Sequence, residues 1–537
     1  MSNRLGWTAL LSAVGAAALV ACGGGGEGAA DVGDARTILK GNDRNDSIVV
    51  GKVPGCRGPG DSPETALQGQ VPAALRQQGF KGFNCNLELV GQYPGEGGNW
   101  SAATFTDRNL RTCMYHSSAV PRPDRLHPGV PVVDITNPAS MIRTTSLTTP
   151  GMLDPWESLR VHPDRQILIA ANGQNGAGGS EVDIYDISCD CRSPQLLASA
   201  PLGFGTEGGI VVPGAFKGHE GNISPDGLTY YVGDNLTRYF AVDIANTSKP
   251  KLVASFELKD VDPKFTRIHG LSVSADGNRM YGVANGRPTP QEVLDPSAQM
   301  RNGFIILDSS EVQARLPNAK LKPVSLTLYK DGSVAQHTIP IKIDGKPYLV
   351  QVDEGGSASL ADAQNNYIKV ACQAGLTPFP LARIFDIGDE KNPKVVAKLG
   401  LETHDCANQS LVEPDVVGLA TFTYGSHYCS VDNRENATAL ACSYFNSGIR
   451  VFDIRKLDKV REIAYYNPAS ASAKPGSSHA VFGQWRAGGP DWCASRLDFD
   501  FAKKQLSTMC QDNGVLTLKF APGTWPFAQS TPSRLQN

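Results

Sequence analysis

The 537-residue chain lacks most of the signatures by which an enzyme announces its chemistry. It has no Walker loop, no strand-linked GxGxxG, no HExxH and no GxSxG. Kinase, nicotinamide and serine-hydrolase reactions therefore have no residues to stand on. No CxxC pair at zinc-finger spacing occurs, and the "CDC" of Cys189 to Cys191 is too tight for one. A charge excess is missing too: the net is -3, so nothing argues for nucleic acid or anionic lipid as an electrostatic partner. The uncharged run from Trp7 to Ala21 has 15 residues, short of the ~20 that cross a bilayer. Long amphipathic helical patterns are scarce. Only "SPETALQGQVPAALRQQG" reads as helix, and Pro72 should break it.

What is there begins with "MSNRLGWTALLSAVGAAALVAC": a basic start at Arg4, an apolar run, then small residues before Cys22. "LVAC", Leu19 to Cys22, resembles the lipobox of bacterial lipoproteins. That resemblance implies a signal peptide over 1–22 and lipidation of Cys22; the plainer alternative is ordinary secretion with a chance cysteine. The following "GGGGEGAADVGD" reads as a flexible tether, so 23–85 is expected to be tether plus a short N-terminal segment with a helix. Gly23 rather than Asp after the cysteine points to the outer membrane. Hydrocarbon chains contribute about 0.8 kcal/mol per buried CH₂, enough when several are attached to hold a soluble domain on a membrane.

The body of the chain repeats. "GHEGNISPDGLTYYVGDN" from Gly218, "IHGLSVSADGNRMYGVANG" from Ile268 and "QHTIPIKIDGKPYLVQVDEGG" from Gln336 share a histidine, an Asp-Gly turn and a closing apolar run. After such units comes an apolar-Asp-Ile marker: "VPVVDITNP", "VDIYDISCDCRSP", "FAVDIANTSKP", "RIFDIGDEKNP", "RVFDIRKLDK", and more loosely "FIILDSS". A further strand pattern follows most copies. Four short strands per unit, joined by Gly, Pro, Asn and Asp turns, describe a propeller blade. First strands start near Ser101, Glu157, His219, His269, His337, His427 and Cys493. The expected fold is therefore all-β, a seven-bladed β-propeller over 86–525, with 526–537 as a tail. The last unit has only three strands. "NLELVGQYP", 86–94, is expected to supply its fourth and so close the ring.

The "VVDITNP" marker and the His-opened strand resemble the LVIVD-repeat proteins, a largely uncharacterised group of exported bacterial propellers. The resemblance covers about 86–525 and implies architecture far more than activity. Long insertions depart from the repeat: "GRPTPQEVLDPSAQMRN", "EGGSASLADAQNNYIKVACQAGLTPFP" and "LETHDCANQSLVEPDVVGLATFTYG". Insertions of this length are commonly functional or disordered.

First strands line the channel of a propeller, so equivalent positions form a ring. It reads Ser101, Glu157, His219, His269, His337, His427, Cys493. The four imidazoles with a carboxylate and a thiol are residue types that bind Cu, Fe or Zn. Propellers resembling carotenoid oxygenases or selenium-binding, methanethiol-oxidase-like proteins offer an analogy in geometry only. The simpler reading is that each histidine packs or hydrogen-bonds where its blade starts. His116, His127, His162, His404 and His479 read as turn or loop residues, solvated rather than ligating. A second polar set follows the second strands: Asn172, Asp234, Asn285, Asp353, Glu354, Asn446 and Asp512. Turn chemistry explains most of these. Glu220, Asp353 and Glu354, and at lower rank Asp234, are the candidates for ligand contact.

Eleven cysteines follow Cys22, so one is odd. Cys493 with Cys510, and Cys429 with Cys442, should face across hairpins. Cys372 with Cys406 would staple two insertions, and Cys56 with Cys85 the N-terminal segment. Cys189 and Cys191 either pair or stay reduced, leaving Cys113 as the odd thiol. A Cys493–Cys510 bond would remove Cys493 as a ligand.

Two functions compete on these residues. The leading one is a lipid-anchored ligand- or protein-binding module of the cell envelope. It would touch the membrane through its anchor, bind an unidentified protein or small molecule through its loops, and not bind nucleic acid. The rival is a metal-dependent (Cu/Fe) oxidoreductase with His219, His269, His337 and His427 as ligands and Glu157 in an outer shell or as a base. A Ca²⁺-dependent lactonase-like site needs more carboxylates than the ring holds.

Overall fold

A computed structural model describes residues 36–38, 48–118, 125–173, 180–204, 206–207, 210–211, 218–299, 301–358, 366–417, 422–471 and 488–528. Seven sheets of at least four strands follow one another along the chain, so the molecule is a seven-bladed β-propeller. Blade one spans 102–147, blade two 160–200, blade three 218–257, blade four 271–329, blade five 333–399 and blade six 429–467. Blade seven takes its inner three strands from 498–520 and its outermost from Leu87–Tyr93. That strand pairs antiparallel with Gly514–Phe520, Leu87 facing Phe520. The chain thus closes its own ring.

The apolar-Asp-Ile marker has a single physical meaning in its six copies. Its aspartate ends the third strand and accepts the backbone N–H two residues on, an Asx turn. Asp134, Asp186, Asp243, Asp308, Asp386 and Asp453 do so at 2.8–3.2 Å. The isoleucine after it, Ile135, Ile187, Ile244, Ile387 or Ile454, is then buried. Turn chemistry and core packing come from adjacent residues, which is why the pair recurs as a unit. Where adjacent blades meet, apolar side chains interlock, as in the layer joining Tyr239, Phe256 and Leu271 to Ile305 and Leu326.

The described part of the N-terminal segment packs on the propeller. Arg36–Ile38 adds a parallel strand to the outer edge of blade four. Val49 and Gly51 bridge to Gly400 and Arg461 on blades five and six, and Phe83–Cys85 adds a fifth strand to blade six. Covering outer edges in this way removes templates for aggregation. The helix is short, Ala73–Gln77, and starts just after Pro72.

Five disulfides join described residues: Cys56–Cys85, Cys113–Cys191, Cys372–Cys406, Cys429–Cys442 and Cys493–Cys510. Four match the expected pairs. The fifth corrects one: Cys113 is bonded to Cys191 of the next blade, and the exposed Cys189 is the free thiol. Both bonded sulfurs are buried where blades one and two pack, a meeting that chain spacing does not reveal. Cys22 lies outside the described residues, as do the signal peptide, the Gly-rich stretch after it and the tail from 529. No helix among the described residues is long and apolar enough to cross a membrane.

The insertions are ordered where described. Their helices Pro290–Leu294, Asn366–Gln373 and Gln409–Val416 share a small core of Val293, Ile368, Ala371, Val412, Val416 and Tyr424. The Cys372–Cys406 bond staples it.

Candidate metal centre at the channel mouth

The first strand of blade three and the residues leading into the first strands of blades two, four and six bring His219, Glu157, His269 and His427 together, all nearly or fully buried, at 5%, 1%, 4% and 0% exposure. A β-bulge between Gly218 and Gly221 places two residues, His219 and Glu220, against the channel. Glu354, at the end of the second strand of blade five, completes the group.

The imidazole Nε2 atoms converge. His219 and His269 are 2.7 Å apart through Nε2, and Glu157 Oε2 lies 3.5 and 3.3 Å from them. One ligand atom from each of these three residues lies within 4.8 Å of the others. His427 Nε2 is 3.5 Å from Glu157 Oε1 and 3.2 Å from Glu354 Oε1, and Glu354 Oε2 is 3.7 Å from His269 Nε2. Ligand atoms around a four-coordinate zinc with bonds of ~2.0–2.1 Å sit roughly 3.3 Å apart. Most of these separations are already near that value.

The far ring nitrogens are held so that Nε2 points inward. His427 Nδ1 faces the Ala494 carbonyl at 2.5 Å, and His269 Nδ1 faces Glu220 Oε2 at 3.4 Å. Carboxylates and carbonyls behind histidine are the usual means of fixing a metal ligand's tautomer. Glu220 is fixed in turn by Arg160 at 3.1 Å and Arg496 at 2.5 Å. His219 Nδ1 and Glu157 Oε2 are buried without a hydrogen-bond partner.

Burial sets the protonation of the metal-free group. It drives His219 down to about 3, helped by Arg267 and His427, and takes His269 well below the usual imidazole range. Burial raises Glu157 well above the carboxylate range, with Glu354 and Glu220 adding to it and His427 opposing, and pushes Glu220 to about 8 against Arg160. Burial also pulls His427 down, but Glu354 and Glu157 outweigh it and raise the group. His219 and His269 are thus held in the neutral form that ligates, while a metal would have to displace the protons that burial favours on Glu157 and that the carboxylates favour on His427.

Aromatic rings cover the group. Trp156 lies 5.7 Å from His219, while Trp100 and Phe445 lie 5.1 and 5.0 Å from His427. Trp492 and Phe422 pack on Trp100. Trp156, Phe422 and Phe445 have positive φ of 47°, 55° and 40°, a conformation that costs a bulky residue of order 1–3 kcal/mol and concentrates at functional sites. Trp100, Trp156 and Trp492 each stand immediately before a ring position, Ser101, Glu157 and Cys493. That recurrence was the signal for this plug.

Several sequence-based assignments fall elsewhere. His337 is not in the group: its Nε2 accepts the Cys429 N–H at 3.3 Å, its Nδ1 meets Gln336, and its ring stacks on Tyr428 at 4.7 Å. A bulge between Ala335 and His337 turns Gln336 inward instead, and its amide reaches His427 Nε2 at 3.2 Å. Aligning on Asp-Gly caused the error. Blade four turns over 274–278, but blade five stays in strand to Ile343 and turns in two residues, so equal spacing is not equal register. Cys493 is disulfide-bonded and leaves the ring of ligands. Ser101 donates to Leu159 O at 3.4 Å. Asp353 is fully engaged by Arg383, Tyr329, Asn302 and Gln351. Asp234 accepts two N–H groups of its own turn. Glu157 Oε2 stands among the imidazoles, 3.3 and 3.5 Å from His269 and His219 Nε2. His116, His162 and His404 are buried, not solvated, His162 as the last residue of a first strand; His479 lies outside the described residues.

No known family profile and no curated protein matches the chain. Two solved structures share its general course: proteins of Bacteroides uniformis and Bacteroides fragilis provisionally described as 6-phosphogluconolactonases. The first is 12% identical, with a TM-score of 0.45, over 77% of this chain and 93% of that one. The second is 11% identical, with a TM-score of 0.44, over 76% and 98%. The seven-blade ring is read from this chain's own strand pairing.

Proposed function

We propose that this protein is a ligand-binding propeller whose axial mouth holds one divalent first-row transition metal. His219, His269 and His427 would bind through Nε2 and Glu157 through its carboxylate, with Glu354 beside them. The observation that carries this is the convergence of the His219 and His269 imidazoles on the Glu157 carboxylate in a buried pocket, with His427 Nε2 3.5 Å from the other Glu157 oxygen and Glu157 Oε2 without a hydrogen-bond partner. Mixed nitrogen and oxygen donors suit iron, copper or zinc; Ca²⁺ takes oxygen ligands, so imidazoles argue against it even with three carboxylates gathered here. A bound metal would supply Lewis acidity or, for copper or iron, a redox couple. The chain's own residues set the shape and dryness of the site, and Glu220 holds His269 in place. The oxidoreductase reading and the binding-module reading share this centre.

The test is metal analysis of protein purified without chelators or a metal-carrying tag. About one equivalent of copper, iron or zinc is expected. A folded protein that takes up no stoichiometric metal, even when each is added, overturns the proposal. Glu220→Gln should weaken metal binding about 10- to 100-fold, as loss of a carboxylate behind a ligating histidine does elsewhere. Competition with a chromophoric chelator reads that change, and unchanged affinity would remove Glu220 from the role.

Residence in the cell envelope, with the membrane as partner through Cys22, belongs to the same proposal and is supported by the lipobox-like "LVAC". Cys22→Ser is expected to move the protein from the membrane pellet to the soluble fraction. Retention in the pellet would rule the anchor out. The LVIVD-like repeat supports exported propellers as the family.

A further inference from the structure

The aromatic plug covers one side of the metal group, so an exogenous ligand needs another way in. A cleft of about 110 Å³ opens beside the mouth where blades four and five meet, with Lys264, Asn285, Arg287 and Arg301 among its lining residues. Gly286 and Gly332 bring backbone to its wall. Arg301 is bridged to Glu292 at 3.6 Å. Among the described residues, Lys264 and Arg287 make no ion pair, and the buried Oδ1 of Asn285 has no hydrogen-bond partner. The cleft is therefore cationic in excess and carries an unused polar atom.

It also communicates with the metal group. Asn285 follows the second strand of blade four, whose first strand starts just after His269. Arg267, two residues before His269, pairs as a bridge with Asn285 of the cleft, so the cleft wall and the metal group are set by the same stretch of chain.

Resting on the metal-centre reading, we propose that the ligand delivered to that centre is the monoanion of a small carboxylic acid, with its carboxylate taken by the Arg287 guanidinium in this cleft. A guanidinium matches a carboxylate edge-on through two parallel N–H bonds. Phosphate can use the same fork, so it is the competing anion that the test must separate from a carboxylate. The cleft is well below the ~300–1,000 Å³ of sites that enclose a drug-sized molecule. It takes a compact acid, not a nucleotide or an oligosaccharide.

Cobalt-loaded full-length protein gives the test, because its visible spectrum reports ligand exchange at the metal. Acetate is the probe and inorganic phosphate the comparison. Acetate should perturb the spectrum saturably; Arg287→Ala should weaken that response at least 10-fold, Arg287→Lys less, and neither should change cobalt content. If the protein binds no cobalt or other metal, the metal reading itself fails. If cobalt binds but acetate leaves the spectrum unmoved, or acts equally on Arg287→Ala, the carboxylate proposal alone is overturned. Tighter binding of phosphate than acetate overturns it too.

Discussion

His269→Ala should cost the protein its metal, at least 100-fold in affinity, while His337→Ala leaves metal content intact. The two histidines open equivalent-looking sequence units, yet His269 Nε2 stands 2.7 Å from His219 Nε2 and 3.3 Å from Glu157. Removing it takes away one of the three imidazole donors and leaves the Glu220 carboxylate without that neighbour. His337 has its ring nitrogens engaged within the wall between blades five and six. Its loss strands the Cys429 N–H, a buried donor, at a cost of about 1–3 kcal/mol. His337→Ala should therefore lower the melting temperature and keep the metal. His269→Ala should melt near the metal-free protein and lose the rise that added metal gives, because a ligand stabilises only the state that binds it. Elemental analysis with paired melting curves reads both. The reverse pattern, metal lost with His337 and kept without His269, would put the centre elsewhere.

Loss of the closing strand should be the most damaging change to the fold. A chain beginning after residue 95 leaves the Gly514–Phe520 strand without its antiparallel partner and blade seven with three strands. An open ring exposes that edge and the apolar side chains beneath it, Leu87's neighbours Leu516 and Leu518 among them. Aggregation instead of a soluble monomer is expected. A point change probes the same closure without truncation. Gly91 sits at a bulge in the closing strand, and a Cβ there would meet the Pro138 carbonyl oxygen of blade one at 1.9 Å. Backbone cannot swing aside as a side-chain end can. Gly91→Ala should cost upwards of about 3 kcal/mol, at the high end for one substitution. A wild-type melting curve for Gly91→Ala, or a soluble cooperative monomer from the truncated chain, would show that the ring does not depend on this strand.

Much of the fold was legible because its signals are local. The Asp of each "DI" marker caps its own turn two residues on, and the isoleucine beside it packs. Hairpin cysteines were legible for the same reason: Cys429 faces Cys442 directly in register. The closing strand could be inferred because three strands at one end of the chain and one at the other make a blade.

The site was half legible. Glu157, His219, His269 and His427 were read correctly as neighbours, and so were Glu220 and Glu354 as polar groups at the same mouth. Arg160 and Arg496, three residues after Glu157 and Cys493, were missed, although both reach Glu220 across the channel. His337 was misassigned, because a strand's side chains alternate and a single bulge reverses which of two neighbours faces the axis.

The sequence by itself determined the repeat, the number of blades, the way the ring closes and four of the disulfides, since each depends on residues near one another or on counting units. Only the tertiary structure decided which side chains meet at the axis, that Cys113 bonds Cys191, and that tryptophans cover the mouth. Those facts rest on bulges, on how neighbouring blades pack and on the pairing of distant strands, whose geometry no spacing along the chain records.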